Sequence, residues 1–197
     1  MKHKHLIIFG AAVILAWAVG TLLVALYWPH FVNNVFKKAI LDRGFGQGPV
    51  PVNTLYVEPE ALFAEPLLAQ SGTSSPNLMT TGVNHDTLLV VGWLDLSQGP
   101  LMLHVPDFGG RYYSVQFTDP FDTDFAYVGT RTTGTKAGDY LILGPDQKGP
   151  PVGRVGVTDI VAPSNQVLVI GRILVYSDSD LPAAHALAMQ ITLMRAQ

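Results

Sequence analysis

The densest polar chemistry in this sequence is Asp107, Arg111, Tyr112 and Tyr113, set around Gly109 and Gly110 in the run VPDFGGRYYSVQ. A guanidinium is a planar fork of donors matched to carboxylate or phosphate, and a neighbouring phenol or carboxylate can transfer a proton. Arg131 and Arg172 each interrupt an apolar or small-residue stretch, so each charge must be paired, hydrogen-bonded or turned to solvent. Two readings stay open. In one, Asp107, Arg111, Tyr112, Tyr113, Arg131 and Arg172 line one anion-binding pocket, with an Asp or Tyr as proton-transfer group if the site is catalytic. In the other, Pro-Asp-x-Gly-Gly is a hairpin turn whose Asp bonds its own backbone, and Arg131 and Arg172 pair with Asp86, Asp119 or Asp139.

Other chemistry is thinner. Asp119, Asp122 and Asp124 suggest calcium, but D-P-F-D-T-D lacks the turn glycine and distant bidentate Glu of a calcium loop and reads as a solvated acidic loop. His85, His104 and His185 are far apart, without the HxH or HExxH spacing of a zinc site. His85 beside Asp86 could be an acid–base pair, although adjacent strand residues face opposite ways; His185 reads as a packing or surface residue. There is no G-x-S-x-G elbow and no cysteine. The glycine-rich GTRTTGTKAGDY from Gly129 lacks P-loop order and reads as a long hairpin connection. No cofactor and no metal is expected.

The elements that must position these residues are strands. Runs rich in β-branched and aromatic residues recur between Gly and Pro clusters at 87–94, 101–105, 112–118, 125–128, 140–143 and 167–176, the cadence of antiparallel β. Val167 to Ile173 is almost wholly apolar, whereas Ser114 to Thr118 alternates, so one strand is central and another half exposed. Two packed sheets bury both kinds, which predicts a β-sandwich. Asp178, Ser179 and Asp180 offer caps, Pro182 fits a first turn, and Ala183 to Met194 reads as a closing helix. Glu60 to Gln70 reads as a short helix interrupted by Pro66.

Ahead of this domain, Leu6 to Trp28 is an uncharged run of 23 residues in which Thr21 is the one plainly polar side chain. At about 1.5 Å rise per residue it can cross a hydrocarbon layer of roughly 30 Å, so the expected first partner is the lipid bilayer. The basic leader of residues 2–5 resembles a signal-anchor, with the N-terminus in the cytoplasm. Ala18-Val19-Gly20 offers a rival cleavage site, but the run is longer than a usual signal core. Val32, Val35, Phe36, Ala39 and Ile40 recur at helical spacing before Gly44, predicting a separate amphipathic helix on the membrane surface. The expected division is a leader and transmembrane helix over 1–28, a juxtamembrane helix and Gly/Pro linker over 29–49, and the sandwich over 50–197.

Charge separates the same parts. Residues 1–43 hold five Lys or Arg against one acid, and residues 44–197 hold seven against fourteen. An acidic domain is a poor match for nucleic-acid phosphates, so no nucleic-acid partner is expected.

The stretch from Asn84 to Thr87, WLDLSQGP from Trp93, VPDFGGRYYSVQ from Val105, FAYVGTRTTGTKAGDYLILGP from Phe125 and DLPAAHAL from Asp180 stand in order. Together they resemble the bacterial family known as domain of unknown function 1254. The resemblance implies a mainly β domain that longer relatives carry ahead of a second, related domain. Where relatives often have Tyr after the Asn-x-Asp-Thr motif, this chain has Leu89. The function expected is therefore a membrane-anchored periplasmic module of the bacterial inner membrane that binds or assembles, pairing with a second anchored chain that carries the family's other domain. The alternative is an enzyme or small-anion binder using the Arg/Tyr/Asp pocket.

Overall fold

A computed structural model describes residues 2–43, 48–60, 86–147 and 156–196. The expected helix at Glu60 to Gln70 and the residue His85 fall, apart from Glu60 itself, outside these segments.

Two sheets form the predicted sandwich. The first has the order β1 (Leu55–Val57), β2 (Thr87–Asp95), β8 (Gln166–Leu174), β4 (Tyr113–Thr118), β5 (Asp124–Gly129). The second has the order β7 (Val157–Val161), β6 (Gly138–Leu143), β3 (Leu101–Val105), β9 (Thr192–Arg195). All pairs are antiparallel except β6 with β7, which is parallel. Inward side chains of both sheets, including Leu88, Leu103, Tyr113, Phe117, Ile142 and Ile173, make one core. Side chains of this size stabilise the fold by about 1.5–3 kcal/mol each when fully buried. Strand β2, between β1 and β8, is buried along almost its whole length, because its second face is covered as well.

The cover is the N-terminal helix. Instead of a membrane helix and a separate surface helix, one helix α1 runs from Lys2 to Arg43, with Pro29 inside it. Proline removes one backbone donor, which costs least where water or headgroups can satisfy the freed carbonyl. Up to Leu26 the helix exposes apolar side chains on all sides, among them Ile14, Leu15, Trp17 and Leu22. Residues Ile8–Arg43 are long and apolar enough to cross a membrane. Its last turns turn inward: Ile40 is 2% exposed and packs with Leu89, Val91, Trp93 and Leu168, flanked by Phe36 and Leu41. The C-terminal end of the periodic apolar face, Phe36 and Ile40, is therefore docked on the sheet, while Val32 and Val35 stay exposed. Lys37 Nζ donates to Gln166 Oε1 at 2.6 Å, Trp93 Nε1 donates to the same oxygen at 2.9 Å, and the Lys37 ammonium lies 5.3 Å from the Trp93 ring.

The C-terminal end also departs from expectation. Helix α2 spans Leu181–Ala188, and Thr192–Arg195 is strand β9 rather than more helix. β9 pairs with β3 from Leu101↔Arg195 to His104↔Thr192, so it gains a ladder that helix propensity alone does not foresee. β1 and β7, too short or too polar to stand out in the sequence, are likewise sheet edges.

Candidate functional site

Two connections expected to be hairpins cross between the sheets instead. Residues 106–112 join β3 of the second sheet to β4 of the first, and residues 130–137 join β5 of the first to β6 of the second. The strands flanking each turn pair with other partners, so the turn residues are right for a reversal but the partner choice is tertiary. The crossovers meet: Phe108 N donates to Thr135 O at 2.8 Å, and Lys136 Nζ lies 2.9 Å from Asp107 Oδ2.

This arrangement separates the six candidate residues. Asp107 is a turn residue. Its carboxylate accepts from Gly109 N at 2.8 Å, while Gly109 and Gly110 take φ of 60° and 88°. The Gly109 amide and Lys136 hold the Asp107 carboxyl below its ordinary pKa. Arg111 is 9% exposed and makes a bidentate pair with Asp180, at 2.5 and 2.7 Å. It also donates to Leu174 O at 2.6 Å and lies over Tyr176 at 4.8 Å. Asp180, expected to cap α2 with its side chain, makes no such bond. Arg111 and the Tyr176 amide hold its carboxyl instead, and lower its pKa to about 2. Arg111 is thus fully engaged, and the three-arginine pocket does not form. Tyr113 points into the core, where its ring stacks on Phe108 at 4.0 Å and its hydroxyl has no hydrogen-bond partner among the described residues. Burial raises that phenol's pKa, and nearby Thr133 only partly opposes the rise.

Arg131, Arg172 and Tyr112 do come together. They line a cleft of ≈ 380 Å³ on the outer face of the first sheet, with Ser114, Gln116, Tyr127 and Gly129. The register explains the grouping. Arg172, Ser114 and Gly129 form one cross-strand row, and Gln116 and Tyr127 face each other in the next. Tyr112 and Arg131 come from the ends of the two crossovers, with the Arg131 guanidinium 5.7 Å from the Tyr112 ring. Gly129 is required where it stands: its φ is +154°, and a Cβ there would lie 2.5 Å from Tyr113 O.

Neither arginine pairs with Asp86, Asp119 or Asp139, the partners considered for them; among the described residues neither forms an ion pair within 4 Å. Arg172 Nη1 reaches Gln116 Oε1 at 3.4 Å. Asp124, beyond the cleft edge, accepts from Gln116 Nε2 at 2.6 Å, Thr118 Oγ1 at 2.8 Å and Tyr127 OH at 2.5 Å. Burial raises the Asp124 pKa, but these hydrogen bonds and the Arg172 charge outweigh it and leave the carboxyl low. The bond to Asp124 raises the Tyr127 phenol in turn. Among the described residues the lining therefore carries two cations, the three tyrosines Tyr112, Tyr113 and Tyr127, and no carboxylate, a set suited to an anion with a flat or apolar body.

The remaining candidates are elsewhere. Asp119 closes the β4–β5 turn by accepting from Phe121 N and Thr123 N. Among the described residues no three His, Asp or Glu side chains form a metal-binding group. His104 meets Asp139 at 2.7 Å on the outer face of the second sheet, a cross-strand pair that sequence distance hides. His185 Nδ1 lies 3.6 Å from Glu60 Oε1. Ser114, Gln116 and Tyr127 are the cleft residues that sequence reasoning missed. Alternation along β4 puts Ser114 and Gln116 on one face, but only the register brings Tyr127 to them. Leu89 is the cross-strand neighbour of Arg172 and packs under Ile40.

Comparison with known proteins agrees with this architecture. No curated protein matches the chain. Among solved structures, the fold is similar to the VPA0106 protein from Vibrio parahaemolyticus, at 24% identity and a TM-score of 0.61, over 87% of this chain and 36% of that one. An uncharacterized protein from Burkholderia cenocepacia aligns at 14% identity and a TM-score of 0.37, over 74% of this chain and 34% of that one. The chain spans about a third of the length of these solved proteins. The model of the family described as protein of unknown function (DUF1254) matches residues 68–195, most of the domain that carries the cleft, and the chain belongs to that family.

Proposed function

We propose that this chain is a single-pass protein of the bacterial inner membrane, its domain in the periplasm, that works by binding an acidic ligand or partner group in the Arg131–Arg172 cleft. The observation that carries this reading is that, among the described residues, neither of these two cations forms an ion pair, in a cleft walled by Tyr112 and Tyr127. The docked end of α1 supports the anchored part, because it holds the domain, and the cleft with it, at a set height and orientation above the bilayer.

Calorimetric titration of the detergent-solubilised chain with benzoate and phenyl phosphate tests the cleft. Binding that weakens with added salt is expected, and Arg172→Ala and Arg131→Ala are each expected to weaken it about tenfold, the worth of one charge-assisted hydrogen bond. Equal behaviour of wild type and both variants would sink the reading.

A second reading is pairing with another anchored chain that carries the family's second domain. Native mass spectrometry of the detergent extract checks it, and recovery of this chain alone counts against it.

A further inference from the structure

We infer that the β4–β5 loop, through Phe121, is a second membrane contact, seated in the headgroup layer of the bilayer that α1 crosses. The inference rests on the reading of α1 as a retained span and adds a site that the span alone does not supply.

Phe121 lies in the loop between β4 and β5 and is 56% exposed. The loop holds it there. Asp119 Oδ1 accepts from Phe121 N at 2.8 Å and from Thr123 N at 2.9 Å, Asp119 N donates to Thr123 O at 3.0 Å, and Asp122 takes a φ of 64°. An aromatic ring held outside the core by a tightly bonded turn leaves most of its apolar surface unburied in water.

Its ring contact with α1 fixes its depth. The Phe121 ring meets His30 of α1 edge-on, at 4.4 Å between centroids and 68° between planes. His30 follows Trp28 by two residues, a rise of about 3 Å. Trp28 is the last residue of the uncharged run and lies 5.8 Å from Phe31, ring to ring. A headgroup layer is roughly 5–7 Å thick in each leaflet, so a helix that places Trp28 at the hydrocarbon boundary places Phe121 within that layer. Trp28, Phe31 and Phe121, all more than half exposed, then form one aromatic band drawn from two parts of the chain. The height cannot drift freely, because Lys37, Phe36, Ile40 and Leu41 fasten α1 to the same sheet that bears the loop. Asp119 has its carboxylate occupied by loop amides, and exposed Asp122 stays hydrated among headgroups.

The natural chain has no cysteine, so single-site spin labels need no background substitutions. The full chain, in nanodiscs of phosphatidylcholine and phosphatidylglycerol, is labelled separately at Leu15→Cys, Phe121→Cys, Thr123→Cys and Val161→Cys, and accessibility to oxygen and to a nickel chelate is measured. Leu15 reports the span, Val161 on the edge strand of the second sheet reports water, and Thr123 reports the loop with Phe121 intact. The expected result is several-fold less nickel access at 121 and 123 than at 161, with 121 and 123 intermediate between 15 and 161. Nickel access at 121 and 123 equal to that at 161, with Leu15 still lipid-shielded, overturns the loop contact and leaves the anchor standing. Leu15 as open to nickel as Val161 overturns both.

Discussion

Arg111 and Arg172 stand on one domain, and the sequence offers both as anion-binding candidates, yet they end in opposite states. Arg111 is nearly buried, its fork filled by Asp180, a backbone carbonyl and the Tyr176 ring. Arg172 keeps one long hydrogen bond to Gln116 and opens on a cleft shared with Arg131. The difference is whether the topology delivers a carboxylate. The Asp178–Asp180 turn after β8 brings one to Arg111, and β8 itself carries Arg172 onto a sheet face whose nearest acid, Asp124, is already occupied by three other donors. An arginine in a strand-rich sequence thus marks either a staple or a site, and its residue type does not distinguish them.

Four measurements break or sharpen that contrast. Arg111→Ala leaves Asp180 with a partly exposed charge and no cation, and is expected to lower stability by about 2–3 kcal/mol, below the range for breaking a fully buried pair because solvent screens the carboxylate. Thermal melts followed by circular dichroism read it directly, and a loss no larger than that of Arg172→Ala would erase the distinction.

Acid acts on the same pair. The folded Asp180 carboxyl, at about 2, lies below its unfolded value of roughly 3.9. Its contribution is therefore present in full above the unfolded value and is lost as pH falls through about 4 toward about 2, on the order of 2 kcal/mol. Denaturant midpoints between pH 6 and pH 2 should show this slope in wild type and a flatter one in Asp180→Asn.

Arg172→Ala removes no ion pair among the described residues and is expected to change stability by less than about 0.5 kcal/mol, while weakening anion binding. A large stability loss there would mean that the cation is structural. Smallest of all, Lys136→Ala removes an exposed partner of Asp107, with the Lys136 side chain 85% exposed. Solvent screening of such pairs predicts a melting temperature within experimental scatter of wild type.

Much of the architecture was legible in the residues. The strands at 87–95, 101–105 and 166–174 follow from β-branched and apolar runs bounded by turn residues, and the central place of β8 from its almost wholly apolar Val167 to Ile173 stretch. Thr192 to Arg195 was misread, because a four-residue edge strand is stabilised by its neighbour β3 and hardly at all by its own propensities. The amphipathic stretch from Val32 to Ile40 is helical as expected, and at its end Ile40 packs on Leu89 and Trp93 while Val32 and Val35 stay exposed: periodicity shows that a face is apolar and not what will cover each part of it.

The candidate site divides along the same line. Composition and local spacing by themselves determined that the chain has a strand-rich head and one N-terminal segment able to cross a membrane, that Asp107 with its two glycines makes a turn, and that Arg131 and Arg172 need an account of their charge. These are local properties, set by backbone sterics and by transfer of side chains out of water. Which arginine meets a carboxylate, that Tyr127 stands beside Gln116, that His104 meets Asp139, and that His30 touches Phe121 were decided only by the tertiary structure. Each depends on strand register or helix docking between residues distant in sequence, and those are fixed by the packing of the whole core.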